Sequence, residues 1–506
     1  MQISHRIVKV LGPVPACPKR GPANTYGRKL TPWRSVAPAM LVLMLVLSPV
    51  QAGGPIISQL AKHGKLMGLT VAKTIPGFKG SGYVTGFTKP NHRLVMTFHI
   101  PVPGLYDAII RYSSPGQKGF ILVVNGNQHS SMFPSSPKHF SNFNAGLVSL
   151  KAGKNVVSIG GGWGYYSIDS VTFIPDQPPP PPARPSAQLS DPDATPQARS
   201  LMSHLVAVYG RKMLTGVYSN ADASYVHRIT GQYPSIMGGD LINYSPTRLE
   251  HGANPHHEVR KLINAARHGF ILTISWHWNA PAELIDHTYV NAKGKTVVSH
   301  WWSGFYTSST KFNIAKVLAH PQSKNYQLLI SNMDAIAKEL EKFNRAGIPI
   351  LWRPLHEASG GWFWWGAHGP GPFKQLWRLM YHRFTHHFHL HNLIWVYTTS
   401  GKGAWYPGNK YVDIVGVDEY PTDPNDTLSN VWQNCRNHFS NKLIAMTEFG
   451  GVVNAKKAFH FGVYWDYEVS WVGRVQAPHE KPSLLKKIYN QPEVLTRSQT
   501  KNWLHY

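Results

Sequence analysis

Two textures of apolar and polar positions divide the chain. Between residues 56 and 175, short alternating runs are separated by turn residues: RLVMTFHIPV, YDAIIRYS, GFILVVNG, GLVSLKAG, NVVSIGGG and IDSVTFI. Alternation of period two, in runs of strand length, predicts an antiparallel β-sandwich with one face of each strand in the core. Beyond residue 198 the period lengthens. In LLISNMDAIAKELEKFNRAG, the residues Leu329, Met333, Ile336, Leu340 and Phe343 share one helical face, and Gly347 supplies the stop. The apolar run IPILWRPLHE follows as a strand. The scheme repeats with Phe373, Leu376, Trp377, Met380 and Phe384 on a helix ahead of the strand NLIWVYTT. Adding KMLTGVYS, PSIMGGDL, GFILTISWHW, DIVGVDEY, LIAMTEFG and WDYEVSWVG makes eight strands with helices between them. That alternation predicts a (β/α)8 barrel, a TIM barrel. An open doubly wound sheet is the alternative, weakened because no Gly-rich phosphate loop follows the first strand.

The join between the two textures is DQPPPPPARPSAQLSDPDATPQ, whose consecutive prolines Pro178 to Pro182 favour an extended polyproline spacer between independent domains. Ahead of the sandwich, residues 1–35 carry seven basic side chains and no acid, and an apolar run from Val36 to Val50 follows. Val50 and Ala52 suit the −3 and −1 positions of a cleavage site, so residues 1–52 read as a secretory signal. The run is short and interrupted by Pro38 and Pro49, which argues against a membrane span, although an uncleaved anchor is the alternative. The expected organisation is a leader at 1–52, a module at 53–175, a linker at 176–197 and a barrel at 198–506, with the mature protein secreted, extracellular or periplasmic.

Cleavage would remove Cys17 and leave Cys435 alone, so the mature protein would rest on core packing rather than disulfides. It would also lower the formal charge of +26 by seven. A basic protein can bind nucleic acid, but the charge is spread along the chain with no zinc-finger spacing, RNP-type run or basic helix, so no nucleic-acid partner is expected. A monomer is expected.

Active sites of (β/α)8 barrels form at the C-terminal strand ends. Here those ends carry Asp240 after the second strand, Trp276, His277 and Trp278 on the third, His356 and Glu357 on the fourth, Asp418, Glu419 and Tyr420 on the sixth and Glu448 on the seventh. Glu357 and Glu448 stand three βα units apart and would face each other across the mouth. Retaining glycosidases need two carboxyls about 5–5.5 Å apart, one to attack and one to donate a proton. Either acid alone reads as a solvated surface glutamate; the pair at strand ends does not.

The runs WRPLHEASGGWFWWG, SWHWNAP, VGVDEYP and TEFG together resemble glycoside hydrolase family 26, over nearly all of residues 200–500. The resemblance implies a secreted, retaining endo-β-1,4-mannanase acting on β-mannan, with β-1,3-xylanase or mixed-linkage β-glucanase as alternatives within the family. A glycan-binding barrel without catalysis is the alternative of another class. Carried over by residue, Glu357 matches the acid/base and Glu448 the nucleophile. His356 would orient the reacting sugar, Trp362 would hold sugar beside the scissile bond, and His277 would sit where cleavage occurs. Tyr420 would hydrogen-bond the nucleophile, and Trp471 would lie under the reacting ring. Trp301 and Trp302 resemble a stacking pair, while Trp364 and Trp365 divide evenly between core and site. No metal or cofactor is called for.

The runs GSGYVTGF, GLYDAIIRYS, VVNGNQ, SLKAGKNVVSI and GWGYYSIDSVTF resemble carbohydrate-binding module family 35, with Asn127, Trp163 and Tyr165 as ligand-contact candidates. The resemblance implies structural calcium held by two early glutamates, but Leu60 and Lys62 stand at those places and only Asp169 remains. A protonated lysine offers no lone pair and calcium needs oxygen, so calcium is not expected. The tract containing His382, His386, His387, His389 and His391 fits a helix end better than a metal site. Cys435, in VWQNCRNHF, reads as a buried thiol.

Overall fold

The computed structural model describes residues 54–500 and Trp503, apart from Trp163, Lys293, Ser400, Lys402 and residues 422–425. The predicted leader and the candidate Trp163 lie outside the described residues.

Residues 57–175 form two antiparallel sheets packed face to face. Gly104–Ser114, Ser136–Leu150 and Ser167–Pro175 dominate one sheet; Arg93–Ile100, Lys118–Val124 and Gly153–Gly160 dominate the other. Inward positions bury Phe98, Ile110, Phe120, Leu122, Val171 and Phe173. Phe133 stacks between Tyr112 and Phe120 at 4.2 and 4.0 Å, which locks the core aromatically. The sandwich is more strand-rich than its hydrophobic pattern indicated. Asn127–Phe133 and the first part of Ser136–Leu150 are strands although they are Ser-, Asn- and Lys-rich, because the paired backbone, not the side chains, holds them.

Eight parallel strands close the second domain: β1 (Met213–Val217), β2 (Ile236–Asp240), β3 (Ile271–Ser275), β4 (Ile350–Arg353), β5 (Leu393–Thr398), β6 (Ile414–Glu419), β7 (Leu443–Phe449) and β8 (Tyr467–Ser470). They pair in sequence order, and β1 pairs with both β8 and β2, which closes the barrel and removes the open-sheet alternative. Every residue of β1, β3, β4, β5, β7 and β8 is buried. A strand with helices outside and packed side chains inside has no wet face, hence the continuous apolar runs. Helix Lys324–Arg345 is capped by Ser323, whose hydroxyl accepts from Tyr326 N at 3.2 Å, and it buries the five predicted apolar side chains. Each contributes about 1.5–3 kcal/mol relative to exposure. Gly347, at φ 67°, turns the chain from that helix into β4.

The proline tract does not hold the two domains apart. Pro179 packs on Gly462 and Pro181 and Pro182 on Gly210, and Leu189, Asp191 and Ala194 are buried against the barrel. The linker ends early, since helix Pro196–Val208 begins inside its predicted range with Thr195 as cap. The module itself touches the barrel: Ser130 N donates to Asp426 Oδ2 at 2.6 Å. Gly146, at φ 91°, lies against helix Ser429–His438, where a Cβ would stand 2.7 Å from Asn430 Oδ1. No helix among the described residues is long and apolar enough to cross a membrane.

Candidate active site

Glu357 follows β4 in the left-handed region, at φ 53°, with Leu355 at φ 51° before it. These two sparsely populated conformations throw the chain outward at the rim. The Glu357 Oε2 accepts from Trp362 Nε1 at 2.9 Å. Burial, followed by the charge of Glu448, pushes the Glu357 carboxyl above its ordinary range.

Glu448 lies within β7, its side chain 7 % exposed. Its Oε1 accepts from Tyr420 Oη and its Oε2 from Arg353 at 2.6 Å. Arg353 is fully buried at the end of β4 and divides its guanidinium among three partners: Glu448, Asp418 Oδ2 at 2.6 Å and Tyr218 Oη at 3.0 Å. Asp418 is held in turn by Thr447 Oγ1 at 2.7 Å. Burial pushes the Asp418 carboxyl well above the usual carboxylate range, although Arg353 opposes this. Both oxygens of Glu448 are thus oriented, and both act as acceptors.

A second group lines the opposite arc of the mouth. His277 Nδ1 pairs with Asp240 Oδ2, and its Nε2 stands 3.1 Å from His356 Nε2. Burial disfavours charge on His277, but Asp240 overrides it and the pKa is raised. Burial, then Arg353 and His277, hold the His356 pKa well below the usual value. Asp240 is correspondingly low: burial would raise it, and His277 more than offsets that.

The aromatic candidates separate by exposure. Trp362 is 46 % exposed and Tyr420 42 %, at the rim beside the glutamate each one bonds. Trp471 follows β8, its ring 5.9 Å from His277 and 4.8 Å from Tyr218. Trp301 and Trp302 sit on a short turn beyond β3, their rings at 85° to each other. Trp301 meets both His251 and Arg248, and Trp302, stacked on His300 at 4.1 Å, is 48 % exposed. Trp364 and Trp365 are core: both are buried, and their indoles donate to Trp278 O and His356 O. Sequence reasoning passed over Arg353, Tyr218 and the role of Asp240. The signal for Arg353 was a lone cation inside the apolar run ILWR, where burial demands partners.

In the module, Tyr165 is 58 % exposed beside Lys118, whose ammonium lies 5.4 Å from the ring centre. Asn127 is at the other end of the strand Lys118–Val124, roughly 20 Å away at 3.3 Å per residue, so these two candidates do not form one site. The calcium position that the family 35 resemblance implies does not suit calcium. Asp169 is fully buried, with Oδ2 accepting from Arg111 Nε at 3.0 Å and Oδ1 from Lys79 N at 2.8 Å. The Arg111 guanidinium also donates to Gly77 O at 2.6 Å and Phe140 O at 3.3 Å, so an arginine already meets oxygens that a cation would seek. The Lys62 ammonium donates to Ser81 Oγ at 2.5 Å.

Of the histidine tract, His391 joins Asp191 and Asp193 in a cluster, where its Nδ1 bonds Asp191 Oδ2 at 2.8 Å and ties the linker to the start of β5. His382 closes helix Pro370–His382, with His386 on the following turn. Burial pushes the Cys435 thiol up to about 12, so it is inert.

The sequence model of glycosyl hydrolase family 26 matches residues 190–499, and that of carbohydrate binding module family 35 matches residues 59–175. A mannan endo-1,4-beta-mannosidase of Thermothelomyces thermophilus is 36% identical over 450 residues, covering 88% of this chain and 90% of that protein. Mannan endo-1,4-beta-mannosidase B of Piromyces sp is 27% identical, covering 87% and 76%. The crystal structure of the Podospora anserina GH26-CBM35 beta-(1,4)-mannanase superposes with a TM-score of 0.62 at 37% identity, covering 89% of this chain and 99% of that one.

Proposed function

The chain belongs to glycosyl hydrolase family 26, with a family 35 carbohydrate-binding module ahead of its catalytic barrel, and from that premise we propose that it is a secreted, retaining endo-β-1,4-mannanase. The observation that carries the reading is the division of labour between two glutamates at the ends of β4 and β7. Glu357 is poorly solvated, bonded by Trp362 and pushed toward its protonated form. Glu448 is oriented by Arg353 and Tyr420.

The chemistry follows as a double displacement. A Glu448 oxygen attacks the anomeric carbon from one face of the sugar while Glu357 protonates the departing glycosidic oxygen. The C–O bond breaks, and a glycosyl ester forms on Glu448. That ester no longer carries the charge that raised Glu357, so the Glu357 carboxylate now accepts a proton from water. The water attacks the same carbon, the ester breaks, and Glu448 is released. Two inversions leave the configuration retained. The names of the relatives support mannan as substrate, and the basic, apolar leader supports secretion.

The test is NMR of the first products from β-mannan, run beside β-1,3-xylan and mixed-linkage β-glucan. Release of β-configured oligosaccharides from mannan is expected. Inverted first products would overturn the two-glutamate mechanism. Turnover confined to xylan or glucan would overturn the substrate, and binding without turnover would make the barrel a lectin.

A further inference from the structure

Asp240 closes β2 away from the two glutamates, yet its side chain is fully used. It accepts from His277 N at 3.0 Å, from Ile242 N at 2.9 Å and from His277 Nδ1. With Nδ1–H committed to the carboxylate, His277 meets His356 through Nε2 alone. Two ring nitrogens 3.1 Å apart share a single hydrogen, so one must donate and the other accept. A carboxylate on Nδ1 favours the doubly protonated ring, which makes His277 the donor. The His356 backbone is held by its carbonyl, which accepts from Trp365 Nε1 at 2.8 Å, and the next residue is Glu357. A carboxylate–imidazole–imidazole chain therefore crosses three neighbouring strands and ends at the residue before the proton donor.

We propose that Asp240 is a positioning residue for glycosidic cleavage: through Nδ1 it makes His277 the donor toward His356 and holds the pair in one orientation beside Glu357. The proposal rests on the reading of Glu357 as acid/base. The charged groups facing His277 are Asp240 and Glu448, which favour its proton, and Arg353, which opposes it; its uncharged walls are Phe305, Phe363 and Trp471. Arg248 and Glu258 are the charged groups near enough to feel Asp240 besides His277. A charged His277 also favours the Glu357 carboxylate, so loss of that charge raises Glu357 further.

The experiment uses the full chain and Asp240→Asn. The kcat on mannan falls by roughly 10- to 100-fold with little change in KM, the range expected for a buried charge-assisted bond. The basic limb of the pH profile moves to higher pH. In the His277→Gln background, Asp240→Asn costs less than about twofold, because the two act as one unit. Additive losses, or an unmoved basic limb, would reduce Asp240 to a structural role and overturn the proposal. Imidazole 15N NMR of the unaltered protein without substrate reads it independently of folding and of turnover. His277 protonated on both nitrogens at pH 7 is expected, and a neutral His277 would overturn it. If the parent fails on mannan while His277 shows both protons, the substrate reading has failed and the proton arrangement stands.

Discussion

Arg353 lies fully buried, with side chains of Asp418 and Glu448 that are 1 % and 7 % exposed. Replacing it by methionine keeps much of the volume and removes the only cation bonded to either acid among the described residues. Breaking a buried ion pair by deleting one partner costs about 3–5 kcal/mol. Here one guanidinium neutralises two acids, so the upper end of that range applies. For a domain of this size, each kcal/mol lowers Tm by about 2–4 °C, which predicts a fall of ~10–20 °C near neutral pH. Removing the guanidinium takes away the charge that opposes the burial-raised pKa of Asp418, which rises still further above the unfolded value of about 4. A group raised in this way costs no stability below the unfolded pKa and costs progressively more as pH rises through the folded one. The deficit of Arg353→Met is therefore largest at pH 8 and shrinks toward pH 4. Arg353→Lys should fall between, since one ammonium cannot fork to Asp418, Glu448 and Tyr218 together. Thermal and denaturant unfolding across that pH range measures all three proteins. A deficit below about 1 kcal/mol, or one that does not change with pH, would refute the reasoning.

Three other outcomes are expected. Glu357→Ala should lose far more activity on mannan than on aryl mannosides with acidic leaving groups, since these need little protonation; equal losses would count against Glu357 as the acid. Glu419, pushed up to about 7 by burial and then by Asp426 and Glu357, costs the fold stability as pH rises from about 4.5 through 7, so Glu419→Gln should be more stable than the parent at pH 8 and no more stable at pH 4.5. A gain at both pH values, or at neither, would show that the carboxyl is not the source. Because Arg111 and Lys79 already satisfy Asp169, the melting of the module should be unmoved by chelator or by added calcium, and a calcium-dependent rise in Tm would locate ligands elsewhere.

Much of the fold was legible because it rests on local periodicity. The helix face from Leu329 to Phe343 and the wholly apolar run of β5 can be buried in few ways, and eight such alternations make a barrel. Barrel topology then sends every strand end to one mouth, which is why Glu357, Glu448, His277, His356 and Tyr420 could be named from their positions in the chain. What sequence could not decide was anything set by meetings between strands. Trp362, Trp364 and Trp365 stand in one aromatic run, yet Trp362 is turned outward past Gly360 and Gly361 while the other two enter the core. Asn127 and Tyr165, both named as ligand-contact candidates, are separated by the length of a strand. The proline tract has a spacer's composition but packs on the barrel, because its rings fit surface glycines at 210 and 462. Arg353 and Asp240 acquire their meaning only from Asp418, Glu448 and His277, which lie far away in sequence and within hydrogen-bonding reach across the barrel. A buried charge is defined by its partners, and partners are a property of the closed structure rather than of the chain.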